Sequence, residues 1–467
     1  LDTPWDRAGL AESLGPTGRA GQKFLGPSAP LFARMTVLPD SGCVRSPPKD
    51  FGLDEKLEQL RSLRLQFFEQ NPTSGEKERV AAIRVLIEHL YQKLMENGVG
   101  NCPSFHLAFG QILNVFDDWD IRAEHHLSIA ARQMPQNPKA SLQYAICAAK
   151  RTETVPLAIQ FIQMSLEQER SPDALSILSV ALRSTLHSLS AAEAKTVREK
   201  ALAAAREAVS ICDSHSDAWL ALANGLLSDF FFDSQRSPKT LEEAVHSYEK
   251  ALSLGEERAD AYVNLGTALR FSCDMTGALA ALEKAVTLER RPETVAAHSD
   301  LSRLLRNVYR SAAMGAKRGG RVGVPSAPLV TPSRAFSEPN VALSRLRPGA
   351  NEGVAVQGSV VEVIPSPSAS FTPCLLLLTE LPSLSSSSLF VLALHNISSS
   401  WGVVVGDWLT VRNPHLVFLP PSGHIPGSPP LSLLRVFSPL SLLRNGKRLG
   451  RSHLALAQVS IENEAAS

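Results

Sequence analysis

Apolar residues recur at helical intervals through the middle of the chain, and one such pattern is restated thirty-four residues on. "AVHSYEKALSL" at Ala244–Leu254 returns as "ALAALEKAVTL" at Ala278–Leu288. The comparison pairs Ala244 with Ala278, Tyr248 with Leu282, Ala251 with Ala285 and Leu254 with Leu288. The spacing i, i+4, i+7, i+10 is one face of an α-helix. Alanine at two of those places lets a neighbouring helix come close. Sixteen residues before Ala278, "DAYVNLGTAL" sets Tyr262, Leu265, Gly266 and Leu269 on the face of a second helix.

Tyrosine, leucine, glycine and a large apolar residue at those intervals, then Ala-x3-large, form the signature of a tetratricopeptide repeat. Two short helices cannot bury their faces alone, so successive pairs stack into a solenoid. Further copies follow once the period is known. Trp219, Leu222, Ala223 and Leu226 make another first helix, partnered by Ala244 across the loop "SDFFFDSQRSPKT". Leu142, Ala145, Ile146 and Ala149 precede Ala158, Ile162 and Ser165 by the same sixteen. Ala123, Leu127, Ala130 and Pro135 fit a second helix, as do Ala201, Ala205, Ala208 and Ile211. The first helix of that last pair, Leu175 to Leu182, is set off by an insertion around "STLHSLS". The array runs from about residue 100 to 290.

The pattern outside the array is different. Residues 1–50 carry Gly, Pro and Ser without sustained periodicity and read as a disordered extension. "FGLDEKLEQLRSLRLQFF" and "EKERVAAIRVLIEHLYQKLM" predict a helical pair turned by "NPTSG". "ETVAAHSDLSRLLRNVYRSAAM" predicts a capping helix, so the helical domain spans 51–310. A basic Gly/Pro-rich linker, "GAKRGGRVGVPSAPLVTPS", belongs to 311–350. Across 351–460, "GVAVQGSVVEV", "CLLLLTE", "SLFVLAL", "GDWLTV" and "SLLRVF" stand between Pro, Gly and Ser clusters and predict a small β-barrel or sandwich. The expected class is mainly α: a tetratricopeptide-repeat superhelix followed by a C-terminal β-domain.

Composition narrows the function. Charged residues are 20% and the formal net charge is +1, so nothing global draws the chain to nucleic acid or acidic membranes. No apolar run is long enough to span a bilayer. The six cysteines stand far apart without a CxxC pair, which points to reduced thiols in a cytosolic or nuclear protein. There is no P-loop, no GxGxxG after a strand, no HExxH and no nucleophile elbow, so neither a cofactor nor a catalytic centre is expected. His125 and His126 are adjacent on a helix and point to different faces, which favours packing or solvation over shared metal ligation. "DDWD" at Asp117–Asp120 reads as a turn, and Asn396 in "NIS" is formally a glycosylation acceptor.

A repeat array of this kind binds peptides, with the first helices lining the groove. With Tyr262 as the fourth helical position, the groove takes about the second, sixth, ninth and twelfth. That places Asp260, Asn264, Asn224 and Arg183 on it. An arginine and an acid some way apart can read a peptide of both signs. Lys317, Arg318 and Arg321 beyond the capping helix offer a phosphate contact, on RNA for instance. The β-domain has Arg412 as its only Lys or Arg between Asn351 and Leu434, too few for an oligonucleotide groove. It is expected to dock proteins or to serve the structure.

The C-terminal part resembles a known family. "SSSWGVVVGDWLTVRNPHL", "SLLRVFSPLSLLRNGK" and "LRPGANEGVAVQGSVV" are similar to the terminal oligonucleotide-binding-fold domain of the tetratricopeptide repeat protein five family, also called Strap. "LSVALR", "SPKTLEEAVHSYEKAL" and "DAYVNLGTAL" resemble its repeats in the same order. "PSLSSSS" and "PPSGHIPGSPP" are insertions against that pattern. The resemblance implies a barrel for the β-domain. It also implies a groove that recognises the Met-Arg-acidic start of nascent tubulin at the ribosome and triggers tubulin mRNA decay through RNA-decay adaptor proteins. The groove arginine then falls on Arg183 and the acids on Asp260 and Glu293, with ribosome contact at Lys317, Arg318 and Arg321. A second role implied by the family is a nuclear stress-responsive scaffold for a histone acetyltransferase and transcription regulators. Cytoplasm and nucleus are the expected locations.

Overall fold

The computed structural model describes residues 59–60, 62, 71, 76–96, 102–115, 118–232, 237–255, 257–317, 338–366, 373–380, 389–398, 401–420 and 430–455. The extension 1–50, most of the helix expected at 51–70, Arg318, Arg321 and nearly all of the two β-domain insertions lie outside them. The described residues divide into two compact units, with Arg170 ending the first and Ser171 opening the main run of the second.

The first unit holds α1 (Glu76–Glu96), α2 (Pro103–Leu113), α3 (Ile121–Gln133), α4 (Pro138–Ala148) and α5 (Val155–Gln168). Turn chemistry starts these helices where the sequence says it should. The Asp120 carboxylate accepts from the Arg122 N–H, and Asn137 caps α4 with Pro138 as its first helical residue. Helix α2 packs on α3 and α4 on α5. Close approach is a matter of missing atoms. A Cβ on Gly110 would stand 2.6 Å from Leu127 Cγ, so glycine there is required by the crossing of α2 and α3.

The second unit holds α6 (Pro172–Ser184), α7 (Ala191–Ile211), α8 (Ser216–Phe232), α9 (Pro238–Leu254), α10 (Ala259–Phe271), α11 (Met275–Leu288) and α12 (Pro292–Lys317). The pairs α6/α7, α8/α9 and α10/α11 are successive repeats, with α12 packed on α11. The "STLHSLS" insertion is a 3-10 turn, Leu186–Ser188, closed by a Ser190/Glu193 capping box that opens α7. The alanines of the repeat, Ala201, Ala208, Ala244, Ala251, Ala278 and Ala285, are all buried. Tyr248 fills the space between two of them, fully enclosed, with its hydroxyl donating to Asn224 Oδ1.

Among its described residues the same unit carries nine strands: β1 (Gly349–Ala350), β2 (Ala355–Val363), β3 (Cys374–Glu380), β4 (Leu389–Leu394), β5 (Trp408–Arg412), β6 (His415–Leu419), β7 (Leu431–Val436), β8 (Leu442–Arg444) and β9 (Lys447–Arg448). They pair in the order β1-β6-β7-β4-β3-β2-β5-β8-β9, parallel at β4/β7 and antiparallel elsewhere. Among the described residues β1 and β9 do not meet, so the sheet is open where a closed barrel was expected. Both edges are two-residue strands, too short to invite another chain. Asn445 (φ 50°) and Gly446 (φ 77°) form the two-residue loop between β8 and β9, both left-handed as such a hairpin demands.

Strands β3, β4 and β7 are covered on both faces. Leu376, Leu378, Leu392 and Leu434 point into the sheet domain's own core. Their neighbours Leu375, Leu377, Val391, Ala393 and Leu433 join a core shared with Leu301, Leu304, Leu305, Val308 and Tyr309 of α12. Two-sided burial is why these strands read as unbroken Leu/Val runs instead of alternating. Polar contacts fix the fit: Asn307 Nδ2 donates to the Pro365 carbonyl, Tyr309 OH to the Pro420 carbonyl and Ser311 Oγ to Glu362.

Candidate functional site: the charged row of the first helices

Helices α6, α8 and α10 are the first helices of the second unit's repeats, and each opens on an acid at its second residue: Asp173, Asp217 and Asp260. A carboxylate there is favoured by the helix dipole. Glu293 holds the corresponding place in the first turn of α12 and is exposed. Arg183 is the twelfth residue of α6 and is half-buried. Asn224 on α8 and Asn264 on α10 come together: Asn264 Nδ2 donates to Asn224 Oδ1 at 3.1 Å, and both residues are only 8% exposed. These amides are committed to each other and to Tyr248, joining neighbouring repeats. Lys317 is the last residue of α12.

Asp260 is the most constrained of the predicted residues. Its side chain is 8% exposed, and Arg258 grips it with a fork, Nη2 to Oδ2 at 2.6 Å and Nε to Oδ1 at 3.1 Å. Burial works against its charge, while the Arg258 guanidinium and the Ala261 N–H favour it, and the carboxyl titrates below its ordinary range. The third arm of Arg258, Nη1, reaches Asp217 Oδ1 at 3.1 Å. The sequence reading missed Arg258. A signal for it exists: His215, Arg258 and Arg291 stand two residues ahead of Asp217, Asp260 and Glu293. It also missed Arg270, the twelfth residue of α10 and so the counterpart of Arg183, whose pKa burial brings down to about 10. The row thus has acids at the helix starts and arginines at the ends of α6 and α10.

A second polar cluster lies where α10 turns into α11 against the sheet. Cys273 sits at φ 66° and closes a Schellman motif, its N–H bonded to Arg270 O and the Asp274 N–H to Leu269 O. His395 of the sheet domain lies 3.6 Å from its sulfur and is sandwiched by Phe271 and Phe437. Arg435 Nη1 donates to the Ser272 carbonyl at 2.9 Å. A Cys–His pair invites a nucleophilic reading, but burial pushes the thiol up to about 12. Burial and the nearby Arg435 and Arg270 charges push the imidazole down to about 3. Neither group is activated near neutral pH, and the cluster is a packing seam.

The remaining polar candidates are structural. His126 faces His106 across α2 and α3 with Nδ1···Nδ1 at 2.7 Å, and burial lowers its pKa to about 4, helped by His106 and His125. Asp120 is a helix cap. Asn396 spends its amide on the Phe437 carbonyl, and Arg412 is paired with Glu338. Among the described residues, no three His, Cys, Asp or Glu side chains gather as a metal site, and no helix is long and apolar enough to cross a membrane.

Known proteins place this architecture. Residues 339–458 match the family model described as the Tetratricopeptide repeat protein 5 OB fold domain. The chain resembles the tetratricopeptide repeat protein 5 family. Its similarity to Tetratricopeptide repeat protein 5 of Bos taurus is 26% identity over 436 residues, covering 87% of this chain and 95% of that protein. For the Homo sapiens protein it is 25% over 431 residues, with the same coverage. Among solved structures, a thermophilic TPR protein of Thermus thermophilus shares 18% identity at TM-score 0.37, over 43% of this chain and 98% of that one. MamA protein shares 18% at TM-score 0.28, over 40% and 92%. Overlaps that loose carry no argument; the repeat assignment rests on the helix pairs themselves and on the family resemblance. In an oligonucleotide-binding fold, the second and third strands and their loops take the nucleic acid. Here β3 and β4 pack on α12. Helix-pair repeats joined to such a sheet make a protein-interaction adaptor.

Proposed function

We propose that the charged row of the first helices is a peptide-binding groove that reads the Met-Arg-acidic start of nascent tubulin at the ribosome, and that its occupation triggers tubulin mRNA decay. One observation carries the reading: acids open the successive first helices at Asp173, Asp217 and Asp260, and α6 ends in the half-buried Arg183, a row with charges of both signs that suits a short peptide of both signs. Arg183 meets the peptide's acidic side chain, while Asp260 and Glu293 hold its arginine or amino terminus. Asn224 and Asn264 set the floor between them. Lys317, Arg318 and Arg321 contact ribosomal phosphate, and RNA-decay adaptors act downstream. The protein works by binding, without a cofactor, in the cytoplasm; the alternative to this reading is a nuclear scaffold for a histone acetyltransferase and transcription regulators during stress.

Fluorescence anisotropy of the full chain with a labelled tubulin N-terminal peptide tests this. The peptide binds in preference to a scrambled one, and Arg183→Glu or Asp260→Lys removes binding, a loss of about 2–5 kcal/mol for one partner of a desolvated charge pair. Equal affinity for the scrambled peptide overturns the tubulin reading and leaves the nuclear scaffold.

A further inference from the structure

The neighbouring first helices α8 and α10 are tied to each other near their starts, midway and at their ends. Near the starts Arg258 joins Asp217 to Asp260, and midway Asn264 donates to Asn224. The tie at the ends comes from the sheet domain. Phe437, next after β7, meets Phe230 of α8 with ring centroids 5.9 Å apart, and Phe230 meets Phe271 of α10 at 6.0 Å. His395, next after β4, closes the set at 5.4 Å from Phe271 and 5.1 Å from Phe437.

Arg435 of β7 completes this tie. It is 5% exposed, and its partners among the described residues are the Ser272 carbonyl, the His415 ring and the face of Phe437 rather than a bonded carboxylate. A buried cation needs compensation, and the C-terminal end of α10 supplies it as the negative pole of the helix dipole. Ser272 is the C-cap of α10. The Schellman bonds occupy the Leu269 and Arg270 carbonyls, and Arg435 Nη1 takes that of Ser272 at 2.9 Å. A strand of the sheet thus caps a helix of the charged row.

We infer that the sheet domain is part of the framework of the peptide site, with Arg435 as a positioning residue that holds the end of α10 and Phe437 as the wedge that sets α10 against α8. The inference rests on the peptide-binding reading above and adds to it a dependence on side chains that do not touch the peptide. Linkage makes the effect mutual: a peptide that bridges α8 and α10 also steadies the sheet against their ends.

The full chain is titrated with the labelled tubulin N-terminal peptide, and its backbone amide exchange is followed by mass spectrometry with and without that peptide. Arg435→Gln weakens binding about threefold to thirtyfold, the range open to residues without ligand contact. Arg435→Lys keeps a donor for the Ser272 carbonyl and recovers part of the loss, while Phe437→Leu weakens binding as well. In the parent chain the peptide slows exchange at 431–437 as well as along α10; in Arg435→Gln the slowing at 431–437 is lost, which a role in folding alone does not explain. Thermal melts show which variants are folded at the assay temperature, and if Arg435→Gln is not, Arg435→Lys and Phe437→Leu are read in the same two ways. If the parent chain does not prefer the peptide to a scrambled one, the peptide reading falls and this inference with it. If the parent binds selectively while the folded variants keep its affinity, or the peptide leaves exchange at 431–437 unchanged, the framework role of the sheet alone falls.

Discussion

At the turn from α10 to α11, Cys273 and His395 are enclosed and held without charge; at the start of α10, Asp260 is also enclosed yet held as an anion. The two places belong to opposite ends of one helix, and the difference lies in the partners. Around His395 stand aromatic rings and two arginines, so desolvation and like charge push the same way. Around Asp260 stands a guanidinium at 2.6 Å, so opposite charge overrides desolvation. Burial alone does not decide whether an enclosed group is held charged or neutral. The sign of the neighbouring charge does.

Four measurements break or sharpen this contrast. The largest effect belongs to the apolar part of the seam. Leu377→Ala, beneath α12, lowers unfolding free energy by about 2–5 kcal/mol in urea titrations, and a loss below about 1 kcal/mol would show that sheet and helix do not share a core. Next comes acid. His395 has a folded pKa of about 3 against 6.5 unfolded. Between those values the unfolded chain takes up a proton that the folded chain refuses, so stability falls as pH falls, by up to ~1.4 kcal/mol per pH unit. His395→Phe removes that share of the slope. Asp260 is lowered for the opposite reason, by a favourable charge: its carboxyl gives stability that is present above 3.8 and is lost as pH drops through the folded value. Third, Asp260→Asn leaves a mostly enclosed guanidinium short of its fork and costs about 1–3 kcal/mol, read as a shift in the denaturation midpoint. The smallest effect is at Asp217, whose exposure keeps Asp217→Asn within about 0.5 kcal/mol of the parent. A larger loss there than at Asp260 would show that exposure does not set the worth of these two carboxylates.

The repeat was legible because its period is written in small residues. Alanine lines the buried face of the second helices, glycine is required at Gly110 by the crossing with Leu127, and at Gly266 a Cβ would press on Leu282 Cγ at 3.1 Å. The insertion before α7 was legible for the same reason, since the capping residues restart the helix. The open sheet was not, because a Leu-rich run gives no hint of which face meets what; β3 and β4 look alike from either side. The predicted site residues Asp260 and Arg183 came from position in the helix. Arg258 escaped that reading because it lies outside the helix face and acts on an acid forty-one residues away. The Cys273–His395 contact spans 122 residues and leaves no local trace.

Leucines of α12 and of the sheet share one buried core. A fragment ending after α12 would bare those of Leu301, Leu304, Leu305 and Val308 that the sheet covers, and the excised sheet would bare its complement in Leu375, Leu377 and Val391. Either piece, produced alone, has a reason to stick to itself or to chaperones. Interaction screens run with such halves would then collect bystanders, and only the joined chain offers its partners the surface that the folded protein presents.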